Sequence, residues 1–228
     1  MKTRYIVILC ACIAVGLGII AGCAEKEVIQ PAASIPLDVE LPSAYAARTD
    51  DMPVAPPRPA TAFPAVEAQR HVPILAYHHV HPDIDSDMNV PPSLFRRHMQ
   101  YLAQHHYTPI TLDQWCNAVE FGAPLPARPV IITFDDGWKD QLTYAIPILE
   151  EYGFPATFFV YVSAVGGPNA MSWEEIASLP RRGHVIGCHS ATHSNLLKPF
   201  GTETPARFSR RIDRESAYSK RFLEDTTG

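Results

Sequence analysis

The segment VIITFDDG, residues 130–137, joins an apolar, β-branched run to two adjacent carboxylates and a glycine. Residues 130–134 have the pattern of a strand buried on both faces of a parallel sheet. Catalytic groups gather at the carboxyl ends of such strands. Asp135 and Asp136 would lie there, and two like charges so close together raise one pKa or recruit a cation. Taken alone, the Asp-Asp-Gly motif is better interpreted as an ordinary acidic turn.

Strand and helix patterns alternate on both sides of this segment. The predicted strands are residues 72–77, 108–112, 130–134, 156–162 and 184–188. Five helices are predicted. They begin at Ser93, at a cap on Asp113, at Asp140 with a kink or a restart at Pro147, at the Ser172–Glu175 capping box, and at Thr204 followed by Pro205. This alternation predicts an α/β fold with a parallel sheet and helical crossovers.

A second polar element, His189-Ser190-Ala191-Thr192-His193, directly follows the predicted strand 184–188. Imidazole is a common metal ligand, and two histidines four residues apart can share one ion. Two unrelated loop histidines are an equally good interpretation of this element alone. Combined with the two aspartates, it predicts a site of two histidines and one carboxylate with open positions for water and substrate, and leaves the second carboxylate as a base.

The residues 133–137 (TFDDG) and 189–193 (HSATH) resemble the first two motifs of the polysaccharide deacetylases with a NodB homology domain, carbohydrate esterase family 4. Residues 73–80 and 95–107 resemble the segment that precedes these motifs in exported members, including lipoprotein deacetylases acting on poly-N-acetylglucosamine. The resemblance implies a partial, distorted (β/α) barrel, with a lead-in at residues 71–127 and an incomplete deacetylase domain at 128–228.

The resemblance also implies residue roles. Asp135 would be the general base, while Asp136, His189 and His193 would hold a divalent metal, zinc being the expected ion. Ser190 would orient His193 or the loop. The implied enzyme is a hydrolase of non-peptide carbon–nitrogen bonds that removes acetyl groups from a polysaccharide resembling poly-N-acetylglucosamine, peptidoglycan or chitin.

One departure from the family pattern leaves an alternative open. After His193 we find no arginine-proline-aromatic stretch and no late histidine motif, so we expect a chain truncated at its C-terminus. His78 or His79 could stand in as the acid, or could be ordinary polar residues at a strand end. The alternative function is a catalytically inactive lipoprotein that binds glycan or a partner.

The N-terminal residues predict export and anchoring. Residues 1–22 resemble a lipoprotein signal peptide, because an apolar run at 6–20 is short for a membrane span and ends before Cys23. Cys23 would be lipidated, unless the segment is an uncleaved anchor. Residues 23–70 are proline-rich and are predicted to be a disordered linker. The expected location is the bacterial cell envelope, either at the outer membrane facing the periplasm or at the cell surface.

Composition excludes some classes of protein. The chain has 228 residues, 46% of them hydrophobic and 10% aromatic, which is enough for a sizeable core. Its net charge of −5 argues against nucleic-acid binding. Cys116 and Cys188 could form a disulfide or remain separate, and Trp138 and Trp173 could line a groove or pack in the core. A solvated helix face is predicted for the arginines at 207, 210, 211 and 214.

Overall fold

The computed structural model describes residues 72–228. The predicted signal peptide, the lipidation site Cys23 and the linker up to residue 70 lie outside the described residues. Within residues 72–228, no helix is both long and apolar enough to cross a membrane.

The described residues build a sheet of five strands, and every strand pair in it is parallel. The strands are β1 (Ile74–Tyr77), β2 (Thr108–Ile110), β3 (Pro129–Phe134), β4 (Thr157–Val160) and β5 (Val185–Cys188). Their order is β1-β3-β4-β5, and β2 pairs with the beginning of β3. The predicted α/β class with a parallel sheet is confirmed, and in the described part the sheet is open rather than a closed barrel.

Six α-helices connect and cover these strands in the described range. They are α1 (Pro92–Gln104), α2 (Leu112–Phe121), α3 (Ile146–Tyr152), α4 (Trp173–Ser178), α5 (Pro205–Asp213) and α6 (Ser219–Thr227). Two π-helical turns extend them, Gln141–Ala145 before α3 and Arg214–Tyr218 between α5 and α6. The predicted caps at Ser172 and Thr204 are confirmed.

Two predicted helix starts were wrong. Helix α1 begins at Pro92 rather than at a Ser93 cap, because proline fits the first turn, where its missing N–H is not needed. The cap of α2 is Thr111, which accepts a hydrogen bond from the backbone N–H of Gln114, while Asp113 lies in the first turn. Pro147 lies in the first turn of α3, which follows the π-helical turn Gln141–Ala145, so the predicted alternative of a helix restart at Pro147 is confirmed.

Stacked aromatic rings pack under the carboxyl edge of the sheet. Phe134 is fully buried and stacks on Phe158 with ring centroids 4.8 Å apart. Tyr77 lies on its other side at 5.4 Å, and Phe95 of α1 contacts both rings edge-on. Burying each such ring contributes roughly 2 kcal/mol. This packing holds the ends of β1, β3 and β4 level with one another.

Arg211 corrects the prediction of a solvated arginine face. Its side chain is buried, and its guanidinium donates to the carbonyl oxygens of Asn195 and Lys198 and to the carboxylate of Glu203. The residue therefore fixes the loop that follows His193. Its cation is stabilised by these acceptors and by the faces of Phe200 and Phe208.

The structure decides between the alternatives for the two cysteines and for Trp173. Cys116 and Cys188 are both free thiols. Cys188 points toward α6, with its Sγ 3.0 Å from Ser219 Oγ. Trp173 packs edge-on against Phe222, so it belongs to the core rather than to a groove.

His184, just before β5, predicts a pH-dependent stability. The side chain is buried and neither ring nitrogen has a hydrogen-bond partner. Burial lowers the pKa of His184 from 6.5 to about 4. The folded chain keeps this ring neutral down to about pH 4, whereas the unfolded chain takes up a proton below about pH 6.5. The stability is therefore fully present above pH 6.5 and is lost as the pH falls toward 4.

Replacement of His184 by leucine is expected to remove this contribution. Between pH 7 and pH 4.5 the free energy of unfolding, measured by urea denaturation, should fall by roughly 2–3 kcal/mol less in the variant than in the wild type. The exposed Gln104→Leu, which removes no titratable group, serves as the control and should show the wild-type pH dependence. Identical slopes for wild type and His184→Leu would contradict a neutral buried imidazole.

Candidate metal centre

The site lies where the carboxyl ends of neighbouring strands meet. Asp135 follows β3, and its backbone N–H donates to the carbonyl oxygen of Tyr77 at the end of β1. His189 follows β5, and its N–H donates to the carbonyl oxygen of Val160 at the end of β4. These bonds extend the parallel ladder by one residue. Two motifs more than 50 residues apart are thereby brought to one edge.

Asp136, His189 and His193 form one cluster. Each offers a ligand atom, and the three atoms lie within 4.8 Å of one another. Asp136 Oδ1 is 3.3 Å from His189 Nε2 and 3.4 Å from His193 Nε2. This oxygen is buried and has no hydrogen-bond partner. One carboxylate oxygen and two imidazole nitrogens around an unsatisfied position fit a divalent cation such as zinc.

The backbone of the two motifs is held in unusual conformations. Asp136, Ser190 and His193 have φ values of 75°, 81° and 56°, in the left-handed region that such residues adopt at a cost. The Ser190 hydroxyl accepts a hydrogen bond from the backbone N–H of His193. Gly137 is also left-handed, and a Cβ there would lie 3.1 Å from a methyl group of Val160. The positive φ therefore favours glycine in the turn after Asp136, and a larger residue would also have to displace the Val160 methyl group slightly.

Trp138 is a site residue whose role the sequence did not show. Its indole N–H donates to the second oxygen of Asp136, Oδ2, at 3.1 Å. Its ring packs against His79, whose Nδ1 lies 2.7 Å from Asp140 Oδ2. These contacts orient Asp136 so that Oδ1 faces the two histidines. In the sequence, the only sign of this contact is that Trp138 lies two residues after Asp136.

Asp135 lies beside the cluster but does not belong to it. Its side chain is largely buried, Oδ1 has no hydrogen-bond partner, and Oδ2 is 3.8 Å from His78 Nε2. Of the two histidines that the sequence left open as acids, His78 faces Asp135 while His79 is paired with Asp140.

The two aspartates differ in their affinity for protons. Burial raises the pKa of Asp135 above its ordinary value, and the neighbouring His189 and His78 only partly oppose this. Burial also acts on Asp136, but its contact with His189 and the charge of His193 outweigh burial and lower its pKa. Two carboxylates with pKa values moved apart suit a base and a permanently ionised ligand.

Gln141 is a second residue that sequence reasoning missed. It is fully buried, and its side-chain N–H groups donate to the carbonyl oxygens of His78 at 2.7 Å and Asp135 at 2.6 Å. The amide thus ties the end of β1 to the end of β3. It sits in the π-helical turn before α3, and no sequence pattern marks such a contact.

Comparisons with known proteins give relatives of one kind. The family model for polysaccharide deacetylase matches residues 122–228. The poly-β-1,6-N-acetyl-D-glucosamine N-deacetylase of Escherichia coli K12 is 35% identical over 81 residues, which are 36% of this chain and 12% of the relative. The peptidoglycan-N-acetylglucosamine deacetylase of Bacillus cereus is 30% identical over 116 residues, which are 49% of this chain and 40% of the relative.

Solved structures agree on the fold. A polysaccharide deacetylase from Bacillus cereus superposes with a TM-score of 0.57 at 28% identity, covering 69% of this chain and 48% of the other. A de-N-acetylase from Aggregatibacter actinomycetemcomitans gives a TM-score of 0.62 at 18% identity, covering 68% and 74%. The chain spans between 12% and 58% of the length of the curated relatives it matches. Residues 122–228 therefore match the polysaccharide deacetylase family, and the solved structures of such deacetylases share the fold of this chain.

Proposed function

We propose that this protein is a metal-dependent hydrolase that removes acetyl groups from N-acetylated amino sugars of an extracellular or cell-wall polysaccharide. The observation that carries the proposal is the clustering of Asp136, His189 and His193 beside a separate, largely buried Asp135. The names of the relatives, which act on poly-N-acetylglucosamine and on peptidoglycan, support this substrate class.

Asp136, His189 and His193 would hold the cation, with zinc as the expected ion. A divalent ion bound there would polarise a carbonyl oxygen and lower the pKa of a bound water to about 7. Trp138 keeps one oxygen of Asp136 occupied, so that the other is directed at the ion position. An acetamide group polarised by an ion at this position would lie at the carboxyl edge of the sheet, next to Asp135.

Asp135 would act as the general base. Its carboxylate accepts a proton from the water that attacks the acetamide carbon. The carbon–nitrogen bond then breaks, the amine takes up a proton, and the products are acetate and a free amino sugar. His78, 3.8 Å from Asp135, is the group in the described residues best placed to give that proton.

The location that we propose for this activity is the bacterial cell envelope. Lipidation at Cys23 after removal of residues 1–22 would anchor the chain in the cell envelope, and the linker up to residue 70 would hold the domain away from the membrane. Polysaccharide substrates of the proposed class lie in the same compartment.

The proposed function predicts acetate release that depends on a metal. We expect the purified chain to release acetate from oligomers of N-acetylglucosamine, with loss of activity after chelation and recovery when Zn²⁺ is returned. Free acetate can be measured by an enzyme-coupled assay, with β-1,6-linked and β-1,4-linked oligomers compared. Binding of these oligomers without acetate release, at any divalent metal tested, would instead support the non-catalytic glycan-binding alternative.

A further inference from the structure

Glu215 carries a buried carboxylate that accepts hydrogen bonds from the histidine loop, residues 189–193, and whose Oε1 also lies 3.6 Å from Nη2 of Arg214. It lies in the π-helical turn between α5 and α6 and is fully buried. Oε2 accepts hydrogen bonds from the backbone N–H groups of Ala191 at 3.0 Å and Thr192 at 2.8 Å. Oε1 accepts from the Thr192 hydroxyl at 2.8 Å. A buried charge is costly unless it is satisfied in this way, so the arrangement is specific.

The histidine loop needs support from outside itself. Ser190 and His193 both have positive φ values, a conformation that persists only where surrounding contacts impose it. The carbonyl oxygens of Ser190 and Ala191 accept hydrogen bonds from the backbone of Val162 and Ser163. The loop is therefore held by its carbonyl groups on the side of β4 and by its N–H groups on Glu215.

The helix that carries Glu215 is itself attached to β5. Ser219, one turn further along, donates to the carbonyl oxygen of Glu215 and contacts the thiol of Cys188 at the end of β5. Leu223 packs against Ala191 in a small apolar cluster. Because π-helical turns redirect side chains from the regular helical path, the turn at Arg214–Tyr218 accounts for the direction of the carboxylate.

We propose that Glu215 is a positioning residue that sets the histidine loop so that His189 and His193 face Asp136, and that it thereby determines the affinity of the site for a metal. This inference rests on the proposed function, since it concerns the same site. Glu215 contacts none of the three candidate ligand side chains through the bonds described above. It acts through the backbone of the two residues between the histidines, Ala191 and Thr192.

The test compares variants of the full chain in a titration with Zn²⁺. Glu215→Leu keeps a buried side chain of similar size but removes every acceptor, and should raise the dissociation constant about 10- to 100-fold. Glu215→Gln should stay within a few fold of wild type, because its amide oxygen can accept from both N–H groups and its NH₂ can face the Thr192 hydroxyl. Glu224→Leu, which removes a carboxylate of α6 that pairs with Lys220, is the matched control and should bind as wild type.

A folded Glu215→Leu variant with wild-type Zn²⁺ affinity would overturn the inference. If that variant does not fold, Thr192→Val removes one of the three hydrogen bonds alone, and unchanged affinity in this variant would overturn it as well. Amide hydrogen exchange at Ala191 and Thr192 gives a readout without metal and should be at least ten times faster in Glu215→Leu than in Glu224→Leu. If the wild type binds no metal, the proposed function fails, and this exchange alone decides the role of Glu215: equal rates overturn it.

Discussion

Replacement of Asp135 by asparagine is expected to lower acetate release by about a thousandfold while leaving the affinity for a divalent cation within a few fold of wild type. Asparagine keeps the size of the side chain but cannot accept a proton. Asp135 Oδ1 is buried without a hydrogen-bond partner, and the residue lies outside the cluster of candidate ligands. Loss of proton transfer without loss of the metal is therefore the expected pattern.

The matched control for this variant is Asp113→Asn, a neutralised aspartate in the first turn of α2, which should keep wild-type activity. Activity is measured as acetate release, and metal content by elemental analysis of the purified variants. Loss of bound metal in Asp135→Asn would make Asp135 a ligand instead of a base. Full activity in this variant would mean that another group takes the proton.

The central strands β3 and β4 were predictable because they are buried on both faces. A central parallel strand has no solvent side, so its sequence is a continuous apolar run, as in residues 130–134. The structure places β3 at Pro129–Phe134 and β5 at Val185–Cys188, each within one residue of its predicted start. The strand predicted at 156–162 was too long, because residues 162–164 form a helical turn that receives the histidine loop.

Buried charged and polar residues were harder to predict from the sequence. A helical pattern assigns a charged side chain to solvent unless a partner is known, and the partners of Arg211 and Glu215 lie in a loop many residues earlier in the chain. Gln141 is a similar case, since its acceptors are backbone carbonyl groups at the ends of two other elements. Such contacts depend on tertiary structure and produce no periodic pattern in the sequence.

The candidate site also had features that the sequence predicted and features that it did not. The residue types and the HxxxH spacing pointed to two histidines and one carboxylate, but the residues alone did not decide which aspartate would join them. The left-handed turn at Asp136 and the indole of Trp138 turn its Oδ1 toward the histidines, while Asp135 continues the ladder of β3 and faces His78. These orientations depend on the strained backbone and on supporting contacts from other side chains, and a sequence motif shows neither.

Asp136→Ala is expected to weaken the binding of a divalent cation by at least about a hundredfold, a larger effect than the loss of any supporting residue. The substitution removes the oxygen that both imidazoles approach, at 3.3 Å and 3.4 Å. It leaves two neutral nitrogen ligands without an anionic partner, so both the number of ligands and the charge that stabilises the ion decrease. His193→Ala should cause a comparable loss.

The affinity of these variants can be measured by competition with a chromophoric chelator, and thermal unfolding without metal reports whether each variant is folded. His81→Ala is the control, because this ring contacts Tyr144 away from the cluster and the variant should bind as wild type. A folded Asp136→Ala variant that retains stoichiometric metal with wild-type affinity would contradict the ligand assignment. The proposed hydrolysis would then lose its cation at this position, whatever activity Asp135→Asn retained.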